Sequence, residues 1–380
     1  MIRVLHILDT IMSGGVERRR LSMAKLLDSK QFELKIICTN AVGPFPEEFA
    51  QYGVEIIEIG DLISFVNIKQ HKKVMKVIDD FKPHIIHGAV FEGVTLASMN
   101  GFFKRVPIII LEETSDPIYR NWKAHLLMKL LTFPADKVIG VSPASTKYLT
   151  DKLKVSKTKA LLINNGVVLP EQVSQEEIRL LKQELSIKES EIVIGTVGRM
   201  LSDENKRFSD LIKAFAILIN KGLQVKLVMV GRGPLLKVYQ ELAKELKIQD
   251  YVVFTGYQNN TSKYYAIFDI FGLVSAYESF GLVLAEAMLQ KLPIVATRVG
   301  GMQYIVDDNK TGFLVEKYNV DEIAQKLEIL CRDADLRKQF GENGYDKAMK
   351  NYTEERYVKD VANLYLELIQ KKKINISYFR

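Results

Sequence analysis

Residues 271–288 read FGLVSAYESFGLVLAEAM. The first four residues are apolar and predict a buried strand, and a turn containing Glu278 and Gly281 separates that strand from a predicted helix. Free N–H groups at the start of such a helix, together with the helix dipole, attract phosphate at the carboxyl end of the strand. The segment therefore indicates a parallel α/β sheet with an anion-binding edge.

The same alternation of strand and helix extends to both sides of this segment. Further predicted strands cover 4–8, 34–38, 84–87, 106–111, 137–141, 160–163, 192–197, 225–230, 251–254 and 293–296. Predicted helices cover 16–27, 68–81, 122–131, 144–153, 174–185, 208–219 and 235–246, and 335–371 looks wholly helical. This order predicts an α/β protein with two doubly wound, Rossmann-like halves and a boundary near 166–190.

Length and composition exclude several classes of protein. The 380 residues suit two domains, and a net charge of +7 without a dense basic block argues against a nucleic-acid partner. Only Cys38 and Cys331 occur, so we expect a reducing compartment and no cysteine-bound metal. We find no signal peptide and no run of about 18 apolar residues. A cytoplasmic chain is expected, either in solution or on a membrane surface.

Two glycines and a glutamate have competing interpretations. Gly14 and Gly15 follow the first predicted strand, where they form either a phosphate-binding helix start or a simple tight turn. Glu286 lies on the second turn of the helix after Gly281, where it either accepts hydrogen bonds from a sugar hydroxyl or balances the helix dipole. The residues alone leave both pairs of alternatives open.

The ordered set of motifs resembles the retaining glycosyltransferases of family 4, the glycosyl transferases group 1, which have the GT-B fold. Two glutamates, Glu278 and Glu286, are separated by seven residues as in that family. The other matching segments are Ser13-Gly14-Gly15-Val16-Glu17, Asn165-Gly166-Val167, Val197-Gly198-Arg199 with Lys206, Val252-Val-Phe-Thr-Gly256 and Gly300-Gly301.

The resemblance implies a domain plan. Residues 1–168 would form an acceptor-binding Rossmann-like domain and 190–352 a nucleotide-sugar-binding one, with a cleft between them. Residues 353–380 would form a C-terminal helix that packs back on the first domain.

The resemblance also implies the roles of individual residues. Arg199 and Lys206 would stabilise the departing diphosphate without a metal or a cofactor, and Glu278 would act at the sugar. Residues 200–205 are longer than the family's usual spacing, so Arg207 is an alternative to Lys206. The implied donor contacts are Gly14, Gly15, Gly198, Arg199, Lys206, Tyr257, Ser279, Phe280, Gly281, Leu282 and Glu286. Arg199 has a competing interpretation as a surface ion pair.

One position departs from the family pattern. Where the family frequently carries a histidine that touches the donor sugar, this chain has Glu113. This carboxylate either binds sugar hydroxyls, orients an acceptor hydroxyl, or has no chemical role. We count Glu113 among the candidate catalytic residues.

Basic and aromatic residues are concentrated in the first half of the chain. They include Arg18-Arg19-Arg20, Lys69, His71-Lys72-Lys73, Phe102-Phe103-Lys104-Arg105, Trp122, Leu126, Leu127, Leu130 and Leu131. They form either solvated helix faces or contacts with an anionic membrane surface on the cytoplasmic side.

The expected activity is transfer of a sugar from a nucleotide diphosphate sugar, UDP-linked, to a hydroxyl of a glycan or lipid-linked glycan. This transfer would serve the synthesis of surface polysaccharide, lipopolysaccharide or glycoconjugates. The alternatives are a nucleotide-sugar epimerase of similar fold, for which no acid and base pair is evident, and an inert nucleotide-sugar-binding subunit.

Overall fold

The computed structural model describes residues 1–12, 14–62, 64, 66–114, 120–203 and 205–376. Its backbone separates into two units. Unit 1 comprises Met1–Gly166 and Glu354–Arg380, and unit 2 comprises Val167–Thr353. The functional assignment of the two units stays a prediction.

Unit 1 contains a parallel sheet whose strands are joined by helices. Its strands are β1 (Ile2–Ile7), β2 (Thr10–Ile11), β3 (Phe32–Cys38), β4 (Asn40–Ala41), β5 (Glu55–Glu58), β6 (Ile85–Ala89), β7 (Ile108–Glu113), β8 (Lys137–Gly140) and β9 (Ala160–Leu162). Its helices are α1 (Gly15–Leu26), α2 (Phe45–Gln51), α3 (Ile68–Phe81), α4 (Val90–Phe103), α5 (Trp122–Thr132) and α6 (Pro143–Asp151). The sheet order is β5-β3-β1-β6-β7-β8-β9, and β2 pairs separately with β4.

Unit 2 repeats this plan. It contains α7 (Gln175–Glu184), β10 (Ile192–Val197), α8 (Phe208–Asn220), β11 (Val225–Val230), α9 (Leu236–Glu245), a 3₁₀ turn (Gln249–Tyr251), β12 (Val252–Gly256), α10 (Ser262–Tyr265), β13 (Ile270–Leu273), α11 (Leu282–Leu289), β14 (Ile294–Thr297), α12 (Met302–Ile305), β15 (Gly312–Val315), α13 (Val320–Arg332) and α14 (Ala334–Asn351). The parallel sheet order is β12-β11-β10-β13-β14-β15. The predicted doubly wound α/β class is confirmed in both units.

Residues 335–371, which the sequence predicts to be wholly helical, form two helices. Helix α14 ends at Asn351 and α15 (Glu354–Lys371) begins three residues later. The break occurs because the Tyr352 carbonyl accepts a 2.8 Å hydrogen bond from the Val167 N–H instead of continuing the helical ladder. As a result α15 belongs to unit 1, where Val361 and Tyr365 are fully buried.

Helix α4 was missed in the sequence because it is apolar on every side. Its sequence, VFEGVTLASMNGFF, lacks the polar face that reveals a surface helix. Val94, Leu96, Ala97 and Asn100 are all buried. The middle of the helix therefore lies inside unit 1, and its last two residues, Phe102 and Phe103, are exposed.

Arg19 and Arg20 do not form a basic surface. The prediction that residues 18–20 lie on a solvated or membrane-contacting helix face is therefore wrong for these two residues. They are 2% and 1% exposed, and both pair with Glu112 of β7. Burial alone would raise the pKa of Glu112, but the Arg19 and Arg20 guanidiniums hold it down to about 2. Arg20 Nη1 also donates a 2.8 Å hydrogen bond to Tyr357 of α15. The cluster thus ties α1, β7 and α15 together.

Within the described part of the chain, no helix combines the length and apolar character needed to cross a bilayer.

Candidate functional site

The predicted residues of unit 2 gather at the carboxyl edge of its sheet. Arg199 follows β10, Tyr257 follows β12 and Glu278 follows β13. Strand β10 pairs with β11 on one side and with β13 on the other, so the chain changes direction between β10 and β13. In open parallel sheets such a switch point forms the crevice that binds a ligand.

Lys206 and Glu278 meet across this switch point. The Lys206 ammonium forms an ion pair with Glu278 Oε1, and the two side chains remain 25% and 17% exposed. Both charges are thus within reach of a ligand. Arg207, the alternative to Lys206, pairs instead with Asp210 at 2.8 Å and lies 5.0 Å from the Tyr318 ring centre. The structure brings Lys206, and not Arg207, to Glu278.

The Glu278 carboxylate is held by a second side chain. Ser275 Oγ donates a 3.2 Å hydrogen bond to Glu278 Oε1, and Thr297 Oγ1 donates to the Ser275 carbonyl at 2.5 Å. Ser275 and Thr297 are both fully buried. Two neighbouring strands therefore fix the base of the turn that carries Glu278.

Asn205 is a residue of this site that sequence reasoning missed. Its side-chain Nδ2 donates to the Tyr277 carbonyl at 2.9 Å, and its own carbonyl accepts from the Ala276 N–H at 2.7 Å. These two bonds join the loop that carries Lys206 to the turn that carries Glu278. Its position directly before Lys206 was the available signal.

Gly300 and Gly301 allow the backbone to approach this turn from behind. Gly300 has a φ of +47°, and a Cβ there would lie 2.0 Å from the Glu278 carbonyl oxygen. Gly301 donates its N–H to that same oxygen at 2.7 Å. A side chain at Gly300 would displace Glu278, so glycine is required there.

Helix α11 begins beside Glu278. Gly281 precedes it with a φ of +100°, a left-handed conformation that favours glycine, and no side chain caps the first turn. The sequence predicts that the N–H groups of that turn bind an anion, and this role stays a prediction. Ser279 and Leu282 are partly exposed next to it, whereas the Phe280 side chain is 3% exposed and packs on Tyr352. Phe280 therefore offers the site only its backbone.

Glu286 lies on the second turn of α11 and is half-buried. Tyr265 donates a hydrogen bond of 2.8 Å to its Oε2. The sequence did not point to Tyr265, because Glu286 lies 21 residues away and no motif links the two residues.

Arg199 has an exposed side chain on a fixed backbone. Gly198 donates its N–H to the Val230 carbonyl at 2.9 Å, and Met200 donates to the Arg232 carbonyl at 3.0 Å. The Arg199 side chain is exposed, and no hydrogen bond or ion pair joins it to another described residue. The alternative of a surface ion pair is not observed there.

The Tyr257 ring lies beside a second cation at the same carboxyl edge of the sheet. The ring is 44% exposed, and the Arg232 guanidinium lies 5.2 Å from its centre. Arg232 was not predicted, although it follows β11 as Arg199 follows β10. An exposed ring beside a guanidinium offers a flat surface for stacking.

The remaining candidates belong to unit 1. Helix α1 begins at Gly15, and Gly14 precedes it with extended backbone and no side-chain cap. A Cβ at Gly14 would lie 2.4 Å from the Glu17 carboxylate, which is buried in the first turn. Ser13 of the same predicted loop lies outside the described residues.

Glu113 is buried at the carboxyl end of β7 with an exposure of 2%. Its two oxygens accept hydrogen bonds of 3.0 and 2.6 Å from Arg120, which also donates to Tyr148 at 3.1 Å. Burial opposes the charge of Arg120, but hydrogen bonding to Glu113 raises its pKa above the ordinary value. Glu113 is thus an ion-pair partner in this structure.

No cluster of three or more His, Cys, Asp or Glu side chains suited to hold a metal ion occurs within the described ranges.

Family models match both halves of the chain. The model for glycosyl transferases group 1 matches residues 156–347, and the model for Glycosyltransferase Family 4 matches 13–170. The chain belongs to this family of glycosyltransferases and has the GT-B fold, as its motifs predicted.

Individual relatives resemble the chain to different extents. The N-acetyl-alpha-D-glucosaminyl L-malate synthase of Bacillus anthracis is 30% identical over 68% of this chain, a match that spans 65% of the relative's length. The capsular polysaccharide biosynthesis glycosyltransferase CapM of Staphylococcus aureus is 24% identical over 96% of both chains. The crystal structure of Anabaena HepE in complex with UDP-glucose superposes with a TM-score of 0.86, covering 97% of this chain and 100% of that one at 20% identity.

Proposed function

We propose that this protein transfers a sugar from a nucleotide diphosphate sugar, UDP-linked, to a hydroxyl of a glycan or lipid-linked glycan. The observation that carries the proposal is the meeting of Lys206 and Glu278 at the β10/β13 switch point, beside the start of α11. A lysine cation and the free N–H groups at the start of α11 lie close to Glu278 there, as the binding of a diphosphate requires. The UDP-glucose complex of HepE and the role of CapM in capsular polysaccharide synthesis support the same substrate classes.

The proposed reaction retains the configuration of the sugar. The bond between the anomeric carbon and the diphosphate oxygen breaks, and its electron pair leaves with the diphosphate. The acceptor oxygen then bonds to the same face of that carbon, and its proton passes to the departing phosphate. Arg199 and Lys206 stabilise the negative charge, and Glu278 stabilises the positive charge that develops on the sugar.

The other candidates have supporting roles in this proposal. Glu286 binds the ribose hydroxyls, and Tyr257 lies beside the nucleotide base. Unit 2 would hold the donor and unit 1 the acceptor. Glu113 acts by positioning rather than by proton transfer, since Arg120 occupies both of its oxygens.

The acceptor class fixes the proposed location. A lipid-linked acceptor in surface polysaccharide or lipopolysaccharide synthesis would place the enzyme at the cytoplasmic face of the cell membrane as a peripheral protein. We propose this location together with the activity.

The test is incubation with a panel of nucleotide sugars, with and without glycan acceptors. Transfer requires an acceptor, epimerisation does not, and an inert subunit binds donor without turnover. NMR of the product's anomeric proton distinguishes retention from inversion. Thermal shifts by UDP, GDP and ADP sugars identify the base, because a ligand raises apparent stability by mass action. Epimerised donor in the absence of acceptor would overturn the proposal.

A further inference from the structure

Helix α5 of unit 1 has apolar residues on two opposite faces. Its inner face carries Met128 and Leu131, which are 3% and 5% exposed. Its outer face carries Trp122, Leu126 and Leu130, which are 71%, 51% and 63% exposed. The four-residue spacing aligns these three side chains in one stripe on a helix of 3.6 residues per turn.

Phe133 extends this outer stripe beyond the end of the helix. It is 78% exposed, and from Trp122 to Phe133 the stripe spans about 16 Å at 1.5 Å per residue. Helix α4 packs beside α5, where Ser98 Oγ donates to the Leu131 carbonyl at 2.6 Å. That helix ends in Phe102 and Phe103, which are 58% and 67% exposed. Scattered apolar residues are normal on a surface, but a continuous stripe of this kind marks an interaction site.

A lysine lies beside the aromatic ring at each end of the stripe. Lys123 Nζ lies 5.7 Å from the Trp122 ring centre, and Lys159 Nζ lies 5.8 Å from the Phe133 ring centre. Residues 120–135 also include Lys129, and none of these sixteen residues is Asp or Glu. Arg120 belongs to the same segment, but its guanidinium pairs with Glu113. The stripe therefore has a cation at each end and no carboxylate within its own segment.

We propose that the outer face of α5 docks on an anionic lipid bilayer. Leucine and aromatic side chains enter the boundary between headgroups and acyl chains, while lysines beside them contact anionic headgroups. A protein partner fits less well, because the cores of protein interfaces are depleted in lysine. The inference deepens the proposed function and rests on it only for the lipid-linked acceptor.

Trp122 is the sole tryptophan of the chain, so its fluorescence reports directly on the stripe. The full chain is mixed with vesicles of phosphatidylglycerol and phosphatidylcholine, without donor or acceptor. We expect the Trp122 emission to shift to the blue and to be quenched by lipids brominated on the acyl chain. Vesicles of phosphatidylcholine alone, or 1 M salt, should weaken binding at least tenfold, since a Debye length of about 3 Å screens the lysines.

Matched variants separate the stripe from general surface effects. Leu126→Ser/Leu130→Ser should weaken vesicle binding at least tenfold, whereas Leu180→Ser/Val238→Ser, at sites about half exposed in unit 2, should not. Lys123→Glu/Lys129→Glu should also weaken vesicle binding at least tenfold. Lys237→Glu/Lys338→Glu, in unit 2, should leave vesicle binding unchanged. Thermal shifts with donor check that every variant folds and binds.

Two results would overturn the docking proposal. The first is a Trp122 emission spectrum that does not change when anionic vesicles are added at low salt. The second is equal vesicle binding by Leu126→Ser/Leu130→Ser and Leu180→Ser/Val238→Ser. Self-association abolished by Leu126→Ser/Leu130→Ser, with no vesicle binding, would make the stripe an interface between copies instead. Sugar transfer measured with a soluble acceptor is independent of all these outcomes.

Discussion

Tyr265 Oη donates a hydrogen bond of 2.8 Å to Glu286 Oε2. The Tyr265 ring is 3% exposed and lies 5.8 and 5.6 Å from the ring centres of Phe268 and Phe271. The phenol is therefore rigid and fixes one oxygen of the carboxylate. Within the described part of the chain, Oε1 has no hydrogen-bond partner, so it is available to a ligand hydroxyl.

Tyr265→Phe should therefore weaken donor binding without slowing the chemical step. Loss of one neutral-to-charged hydrogen bond costs about 1.5 kcal/mol, or roughly a tenfold rise in the donor KM. Glu286→Ala should raise KM further, since it removes both oxygens. Tyr264→Phe, at the equally buried neighbouring tyrosine, is the control. An unchanged KM in Tyr265→Phe would contradict the assignment of Glu286 to the donor.

Replacement of Lys206 should lower turnover. Lys206→Ala removes a fixed cation from the place where diphosphate charge develops, at a cost of about 3 kcal/mol or roughly 100-fold in kcat. Arg199→Ala should behave similarly, and Glu278→Ala should lower kcat with little change in KM. Arg207→Ala is the control, because Arg207 pairs with Asp210. Steady-state kinetics with saturating donor measure the effect, and a normal kcat in Lys206→Ala would refute the role.

Asn205 should act as a positioning residue. Asn205→Ala removes the side-chain bond to the Tyr277 carbonyl that joins the Lys206 loop to the Glu278 turn. We expect kcat to fall about tenfold, on the scale of 1.4 kcal/mol, with the donor KM nearly unchanged. Asn260→Ala, which breaks an exposed bond to Glu171, is the matched control. Equal kinetics in the two variants would remove Asn205 from the site.

Turnover should persist in EDTA. The proposed charge stabilisation comes from Arg199, Lys206 and the N–H groups at the start of α11, all fixed by the chain. Activity is measured after exhaustive chelation, with and without added Mg²⁺ or Mn²⁺. Loss of turnover that a divalent ion restores would show that the metal-free mechanism is wrong.

Acid should destabilise unit 1 through His6 and His87. Burial, and then the charge of Arg20, holds the pKa of both imidazoles well below 6.5. As the pH falls below 6.5, the unfolded chain takes up protons that the folded chain does not, so stability present above that pH is lost. Each ring should cost about 1.4 kcal/mol between pH 7.5 and 5.5.

His6→Phe tests this pH dependence. Both His6 ring nitrogens are buried without a partner in the described structure, so the substitution removes no hydrogen bond. Hydrogen exchange of the β1 and β6 amides should show a smaller loss of stability between pH 7.5 and 5.5 than in the wild type. The pH 7.5 measurement serves as the baseline, and an unchanged loss would show that His6 does not titrate as argued.

Much of the fold could be read from the sequence because its strands are short apolar runs between glycine-containing turns. The predicted strands lie within two residues of the observed ones, and α7 begins at the capping box of Ser174 and Glu177. Part of the candidate site could also be predicted from the sequence, because its residues are close together in the chain. Glu278, Gly281 and Glu286 lie in one continuous segment that matches a family motif.

The rest depends on contacts between distant segments. Arg19 reads as a surface cation, and only the fold brings in Glu112, which lies 93 residues away and neutralises it. The ion pair of Lys206 with Glu278 spans 72 residues, as does the Asn205 bond to Tyr277. Local periodicity contains no information about such pairs.

The position of α15 has a consequence for how the chain is made. Unit 1 is interrupted in sequence by the whole of unit 2, and its buried Arg20 needs Tyr357 as a partner. During translation, unit 2 can therefore fold while the first 166 residues still lack α15, the helix that covers one face of their sheet. A nascent chain arrested before residue 354 should expose that face to chaperones or to aggregation.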